Sequence, residues 1–220
     1  MNNRLSLQQK LQTSLEEMQT KSNLKSPLTD LQLDQNLNAE IAQLVTELEN
    51  CNPHPQPLVN AISLLNGAWK LLYSTAREIR SLDSLPLGLK LGEVYQVIDV
   101  NNQLFFNLAF VKHPLGIVSG FVKVTASFAP ATDDLSPLPN QRINVTFEKR
   151  YLSIENLFGI HAPQLNPFKV IPAKGPQGRV PTLDITYLDE NFRIGRGGDG
   201  SLFVLRKADD LGEIVKHLQD

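Results

Sequence analysis

The sequence predicts a mainly β protein: an antiparallel up-and-down β-barrel preceded by N-terminal helices and followed by a short C-terminal helix. Apolar periodicity changes from about 3.6 residues to 2 after Gly67 and stays near 2 as far as Lys207. The strand-like runs follow one another through short turns with no helical runs between them, so neighbours pair as a meander rather than as βαβ units. A barrel is preferred to a sandwich because closure removes the edges that a long meander exposes, and about eight strands enclose an interior that side chains fill or one small ligand occupies.

Each element has its own signal. Leu7, Leu11, Leu15 and Met18 are spaced four, four and three apart, predicting a first helix with a Gln-rich outer face. Leu37, Ile41, Leu44, Val45 and Leu48 predict a second, ending near Asn50. Pro53, Pro55 and Pro57 make the next stretch a stiff linker, so residues 1–58 read as a helical extension, 59–208 as the barrel and 209–220 as a terminal helix with Leu211, Ile214, Val215 and Leu218 on its apolar face. Strands are expected over 68–75, 93–100, 103–111, 117–128, 142–153, 182–188, 192–196 and 201–207, with a hairpin at Asn101-Asn102. The segment 155–179, with four prolines and three glycines, reads as a long irregular loop, the kind that is usually functional or mobile.

Composition removes several function classes. With 21 basic and 23 acidic residues the net charge is -2, which leaves no electrostatic footprint for nucleic acid. The single Cys51 cannot form an internal disulfide, and nothing beside it lowers a thiol pKa. No apolar run is long enough to span a bilayer, and Glu16 and Glu17 argue against a transit peptide; the expectation is a cytoplasmic protein, peripheral at most to a membrane.

Motifs for chemistry are sparse. Gly195 to Gly200 spells G-x-G-x-x-G, but a strand follows where a dinucleotide site needs a helix, so hairpin glycines explain it. His54, His113, His161 and His217 lack metal-ligand spacing, and no acid, base and nucleophile cluster emerges, so neither catalysis nor a cofactor is called for. Two arrangements remain. Gly67-Ala-Trp69 opens the first strand while Arg193 and Arg196 lie near the end of the meander, and closure brings these together; an arginine over the Trp69 face then seals the floor. Along with Trp69, the residues Tyr73, Phe106, Phe110, Phe121, Phe147 and Phe203 share inward parity and are the candidate lining of a ligand site.

The runs Ile41 to Pro53, Leu65 to Thr75, Gly92 to Asp99 and Leu183 to Leu205 resemble, in the right order, the signatures of the plastid lipid-associated protein (fibrillin) family. Trp69, Tyr73, Tyr187, Asp189, Arg193 and Arg196 occupy signature positions. The resemblance implies a lipocalin-like barrel of cyanobacteria and plastids that binds or carries a small hydrophobic molecule, a prenylquinone, carotenoid or acyl lipid, at thylakoid membranes. With no transit peptide visible, a cyanobacterial member is the expectation. The alternative is a scaffold protein whose N-terminal helices dock on a thylakoid-associated partner enzyme; their Gln and Glu faces fit a protein better than anionic lipid.

Overall fold

The computed structural model of the chain describes residues 3–132, 140–173, 175, 178–208 and 214. Helix α1 (Asn3–Lys21) leads to a two-residue strand β1 (Leu28–Thr29), a 3-10 turn (Asp30–Gln32) and α2 (Gln35–Asn50). Asp34 caps α2, its carboxylate accepting from Leu37 N at 2.9 Å. Short helices α3 (Pro57–Asn60) and α4 (Ile62–Leu65) precede β2 (Gly67–Ser74) and α5 (Arg77–Ser81). The long strands follow: β3 (Lys90–Asp99), β4 (Leu104–Lys112), β5 (Val118–Pro130) and β6 (Arg142–Leu157). Then come β7 (Ile160–His161), β8 (Lys169–Pro172), β9 (Thr182–Leu188), β10 (Phe192–Gly197) and β11 (Leu202–Lys207).

Eight of these strands pair in the circular order β2-β3-β4-β5-β6-β9-β10-β11 and back to β2, so the hydrogen-bond ladder closes on itself. The seam between β6 and β9 is the shortest join, spanning only Arg142–Asn144 against Thr182–Asp184, with the Arg142 guanidinium on both Asp184 oxygens at 2.6 and 2.7 Å. Past the seam β6 runs on and takes β7 and β8 as partners, so the segment expected to be irregular contains two strands. Their brevity and the intervening prolines hide them from any periodicity test. The terminal helix expected over 209–220 lies outside the described residues except for Ile214, which is buried beside Ala68 and Val97.

Two apolar layers follow from strand alternation. The interior holds Trp69 and Leu71 of β2, Val94 and Ile98 of β3, Phe105 and Ala109 of β4, Ala126 and Phe128 of β5, Ile143 and Val145 of β6, Ile185 of β9 and Leu205 of β11. Leu58, Ala61 and Leu65 from α3 and α4 join this cluster and stopper the end where β2 begins. Outside, Leu11, Leu15, Ile41, Leu44, Val45 and Leu48 of α1 and α2 pack on Leu72, Tyr73, Tyr187, Phe192, Ile194, Leu202 and Val204. The amphipathic faces of both helices are thus covered by the barrel wall.

Bulges decide which face several residues take. Opposite Val204 and Leu205, β2 has the extra residue Leu72, because Tyr73 pairs with Val204 and Leu71 with Leu205. Parity therefore flips after Leu71, and Tyr73 points outward to the helices, its hydroxyl donating to Asn38 Oδ1 at 3.2 Å. At the bulge between Ser119 and Gly120 the two backbones close up: a Cβ on Gly120 would lie 2.0 Å from the Ser153 carbonyl oxygen. Gly120→Ala should therefore lower unfolding stability by about 2 kcal/mol or more through overpacking, read as a shift in the urea midpoint; a wild-type midpoint would show that β5 and β6 do not approach so closely.

Candidate functional site

The closed end of the barrel is organised around Trp69, which is fully buried. Three ladder pairings assemble the group: Lys207 is opposite Trp69 across β11 and β2, Gln96 is opposite Trp69 across β2 and β3, and Arg193 is opposite Leu205 across β10 and β11. The Arg193 guanidinium carbon lies 5.0 Å from the indole centroid and Lys207 Nζ 4.3 Å from it. The indole N–H donates to the Leu65 carbonyl at 2.8 Å, tying the strand to the helical stopper. Lys207 Nζ donates to Leu64 O at 3.0 Å and to Asn66 O. Gly67, at φ +106°, begins β2 in a conformation that favours glycine, and a Cβ there would stand 3.5 Å from the Lys207 side chain.

Arg193 is buried and carries an interior polar relay. Its Nη2 donates to Gln96 Oε1, and Gln96 Nε2 donates to Asn107 Oδ1 at 3.1 Å. Nη1 is buried with no hydrogen-bond partner among the described residues. Burial pushes the guanidinium pKa down to about 9, and burial together with the charge of Arg193 pushes the Lys207 ammonium down to about 8.

The other signature residues hold the frame. Asp189 accepts from the Tyr187 hydroxyl at 2.6 Å and from Asn191 N and Phe192 N at 2.9 and 2.8 Å, which closes the turn between β9 and β10. Burial and then this carboxylate raise the Tyr187 hydroxyl well above the usual phenol range. Arg196 does not reach Trp69; its guanidinium holds both oxygens of Glu49 at 2.7 and 2.8 Å, and Thr186 donates to the same carboxylate at 2.6 Å. Asn52 adds a clasp, donating to Thr186 O and accepting from Leu188 N. Together these fasten the end of α2 to β9 and β10.

Of the residues expected to line the interior, Trp69, Phe147 and Phe203 belong to the inner cluster, Phe147 tilted against Phe105 at 6.5 Å. Tyr73, Phe106, Phe110 and Phe121 lie on the outer face instead. Phe106 packs with Ala68 and Val97, and Phe110 stands edge-on to Tyr95 and Phe121 at 6.2 and 6.4 Å. The reason is register: β4 pairs with β3 and β5 so that Phe105, Asn107 and Ala109 face in, and the Phe106 to Phe110 set, equally alternating, faces out. Both faces of β4 are apolar, so alternation alone fits either assignment. Gln96, Asn107, Lys207 and Glu49 escaped the sequence reading; only their distant partners give them meaning.

A surface concavity of about 1040 Å³ lies outside the barrel between α1, the Pro-rich linker and the β9–β10 turn. Gln8, Gln12, Glu16, His54, Asn60 and Glu190 line it, a polar set unsuited to a greasy ligand.

Fold and floor together define a small antiparallel barrel protein, stoppered by helix at one end and locked by an arginine on a tryptophan. The PAP_fibrillin family model matches residues 7–206, and the chain belongs to that family. It is 33% identical over 207 residues to the chromoplast-specific carotenoid-associated protein of Cucumis sativus, an alignment covering 80% of this chain and 62% of the relative. To plastoglobulin-1 of Pisum sativum it is 32% identical, covering 78% of this chain and 54% of the relative. The chain thus spans between about half and three-fifths of the length of these curated relatives. A bovine odorant binding protein solved with its natural ligand aligns with 72% of this chain and 81% of its own at 14% identity and TM-score 0.32. The barrel assignment rests on the closed ladder.

Trp69→Ala should cost on the order of 3 kcal/mol or more, visible as a fall in melting temperature. The pH dependence of stability has a definite sign here. Lys207 titrates near 8 when folded against 10.5 ordinarily, so the unfolded chain binds this proton more tightly and its contribution to stability rises as pH climbs from 8 towards 10. The urea midpoint should rise over that interval in the wild type and rise less in Lys207→Met.

Proposed function

We propose that the chain is a non-catalytic binding or carrier protein for a small hydrophobic molecule, a prenylquinone, carotenoid or acyl lipid, working at the periphery of photosynthetic membranes. One observation carries the reading: a closed ring whose inner wall is apolar on nearly every strand also contains a fully buried guanidinium with an unsatisfied N–H. A cation held over an indole gains about 0.5–2 kcal/mol, less than the several kcal/mol that burying an ion without a counter-charge costs. An acceptor oxygen on an otherwise apolar ligand, a quinone carbonyl or an acyl carboxylate, supplies the missing partner. The names of the relatives, one carotenoid-associated and another a plastoglobulin, support the same chemical class.

Binding without chemistry is favoured because the ionisable groups on Trp69, Arg193 and Lys207, are both cations with no carboxylate or thiol bonded to either among the described residues. No helix among the described residues is long and apolar enough to cross a membrane, which suits a peripheral role. The scaffold reading loses ground: α1 and α2 bury their apolar faces on the barrel, so only their polar faces remain for a partner enzyme.

The single Trp69 makes a test simple, since quinones quench indole fluorescence at short range. Titration with a short-chain plastoquinone analogue should give saturable quenching with a Kd of roughly micromolar order, the scale expected for a few hundred Å² of buried prenyl surface after ordering costs. Ala109→Phe, which fills the interior beside Val94, should remove the saturable phase. Linear, non-saturating quenching together with no binding of fatty-acid or carotenoid probes would overturn the carrier reading.

A further inference from the structure

The end of the barrel away from Trp69 has a distinctive set of tips. Three turns there carry one pattern, a large apolar residue followed by glycine: Pro86-Leu87-Gly88 before β3, Pro114-Leu115-Gly116 between β4 and β5, and Leu157-Phe158-Gly159 between β6 and β7. Leu87 is 87% exposed, Leu115 79% and Phe158 73%, with Ile160 beside the last at 71%. The tips form one patch. Phe158 N donates to Ile117 O at 2.7 Å, Gly116 N donates to His113 O at 2.8 Å, and the Cβ position of Gly88 is 3.6 Å from the His113 ring.

Turn chemistry does not call for these side chains. Leu157 pairs with Ile160 around Phe158 and Gly159, both at positive φ (51° and 78°), the geometry in which Asn-Gly is the favoured pair. Leu87 and Gly88 repeat it at 58° and 70°. A bulky residue at positive φ is sterically costly, and an exposed one returns nothing to the core. Behind the tips, Lys90 and Lys112 stand opposite each other in the β3–β4 ladder, both exposed and neither within salt-bridge distance of a carboxylate among the described residues. Like charges directly opposite are unfavourable unless an anion meets them. Lys169 on β8, opposite Leu152, lies several rungs further back, and the acidic residues on this side include Glu155 of β6 and Glu78 of α5.

We infer that this end docks on an anionic lipid bilayer, Leu87, Leu115 and Phe158 entering the acyl region while Lys90 and Lys112 meet the headgroups. The pattern of narrow apolar tips with cations one residue layer behind suits an interface that is soft and deep rather than flat. A second copy of the chain fits less well, since four side chains on turns fall far short of the roughly 800 Å² per partner of a stable interface. The choice of lipid as partner rests on the lipid-associated reading above, and it places the end opposite the Trp69 floor against the membrane.

The test compares the full chain with L87N/L115N/F158N, in which asparagine suits the positive φ of residues 87 and 158 and the exposed turn position 115, so that folding is not put at risk. Flotation with vesicles of phosphatidylcholine containing roughly a third phosphatidylglycerol should carry the wild type. The triple variant should lose about tenfold or more in partitioning, and K90Q/K112Q or high salt should lose severalfold. Quinone quenching in vesicle-free buffer, run on the same proteins, should be unchanged in the triple variant. A wild type that does not float, or a triple variant that floats equally well with an unchanged melting temperature, overturns the docking. So does a concentration-dependent dimer abolished by the triple variant while vesicle binding persists. Flotation without any saturable quenching sinks the carrier reading and leaves the docking standing.

Discussion

The closure of the ring at Trp69 is the constraint on which the rest of the structure depends. β2 is the one strand that must satisfy β11 on one side and β3 on the other, and Trp69 is the residue at which both ladders meet, opposite Lys207 and opposite Gln96. Its ring receives Arg193 from the penultimate strand, and its N–H is anchored on Leu65 of the stopper. One side chain thus joins the first strand, the last two strands and the helical plug. Because the group is desolvated, its cations lean on the indole rather than on water; burial lowers the proton affinity of both, and the charge of Arg193 lowers that of Lys207 further.

From that closure the chain acquires two unlike walls. The side formed by β2, β9, β10 and β11 is clad by α1 and α2, and its fastening is electrostatic as well as apolar: Arg196 to Glu49, Arg80 to Asp30 and the Asn52 clasp. Tyr73 is buried at the same junction, and burial, and then Asp30, lifts its hydroxyl to about 12. The opposite wall, β3 to β6, bears the aromatic row Tyr95, Phe110 and Phe121 on its outer surface. The abundance of phenylalanine in the composition is therefore shared between a lining and an exterior surface, where a one-sided barrel would need it only inside.

Much of this was legible in the sequence, and the failures have a common cause. Period-2 runs located every strand of the closed ring, because alternation is a local property of a half-buried ribbon. The signature spacing from Leu183 to Leu205 marked Asp189, Arg193 and Arg196, though each proves to have a separate job at a separate place. Side-chain direction was less legible. A single extra residue at Leu72 reverses Tyr73, and nothing near it in the sequence announces a bulge, since Leu71, Leu72 and Tyr73 are all apolar. On β4 both faces are greasy, so the choice between Phe105 and Phe106 was made by the neighbours across the ladder. The polar relay of Gln96 and Asn107 is a relation between strands, invisible until they are paired.

A ring of hydrogen bonds is held no more firmly than its shortest stretch, and here that is the three-residue join of β6 to β9. Elsewhere a strand that loosens is still bracketed by long ladders, whereas at this join a local fluctuation has few amides to break. Sideways parting of the wall is therefore concentrated beside the clamp of Arg142 on Asp184, an ion pair in reach of solvent and correspondingly weak. The flank along β6 and β9 is thus the stretch of the ring with the least ladder to hold it, reinforced by the bonds from Val145 N to Pro181 O and from Ile185 N to Gln141 O on either side.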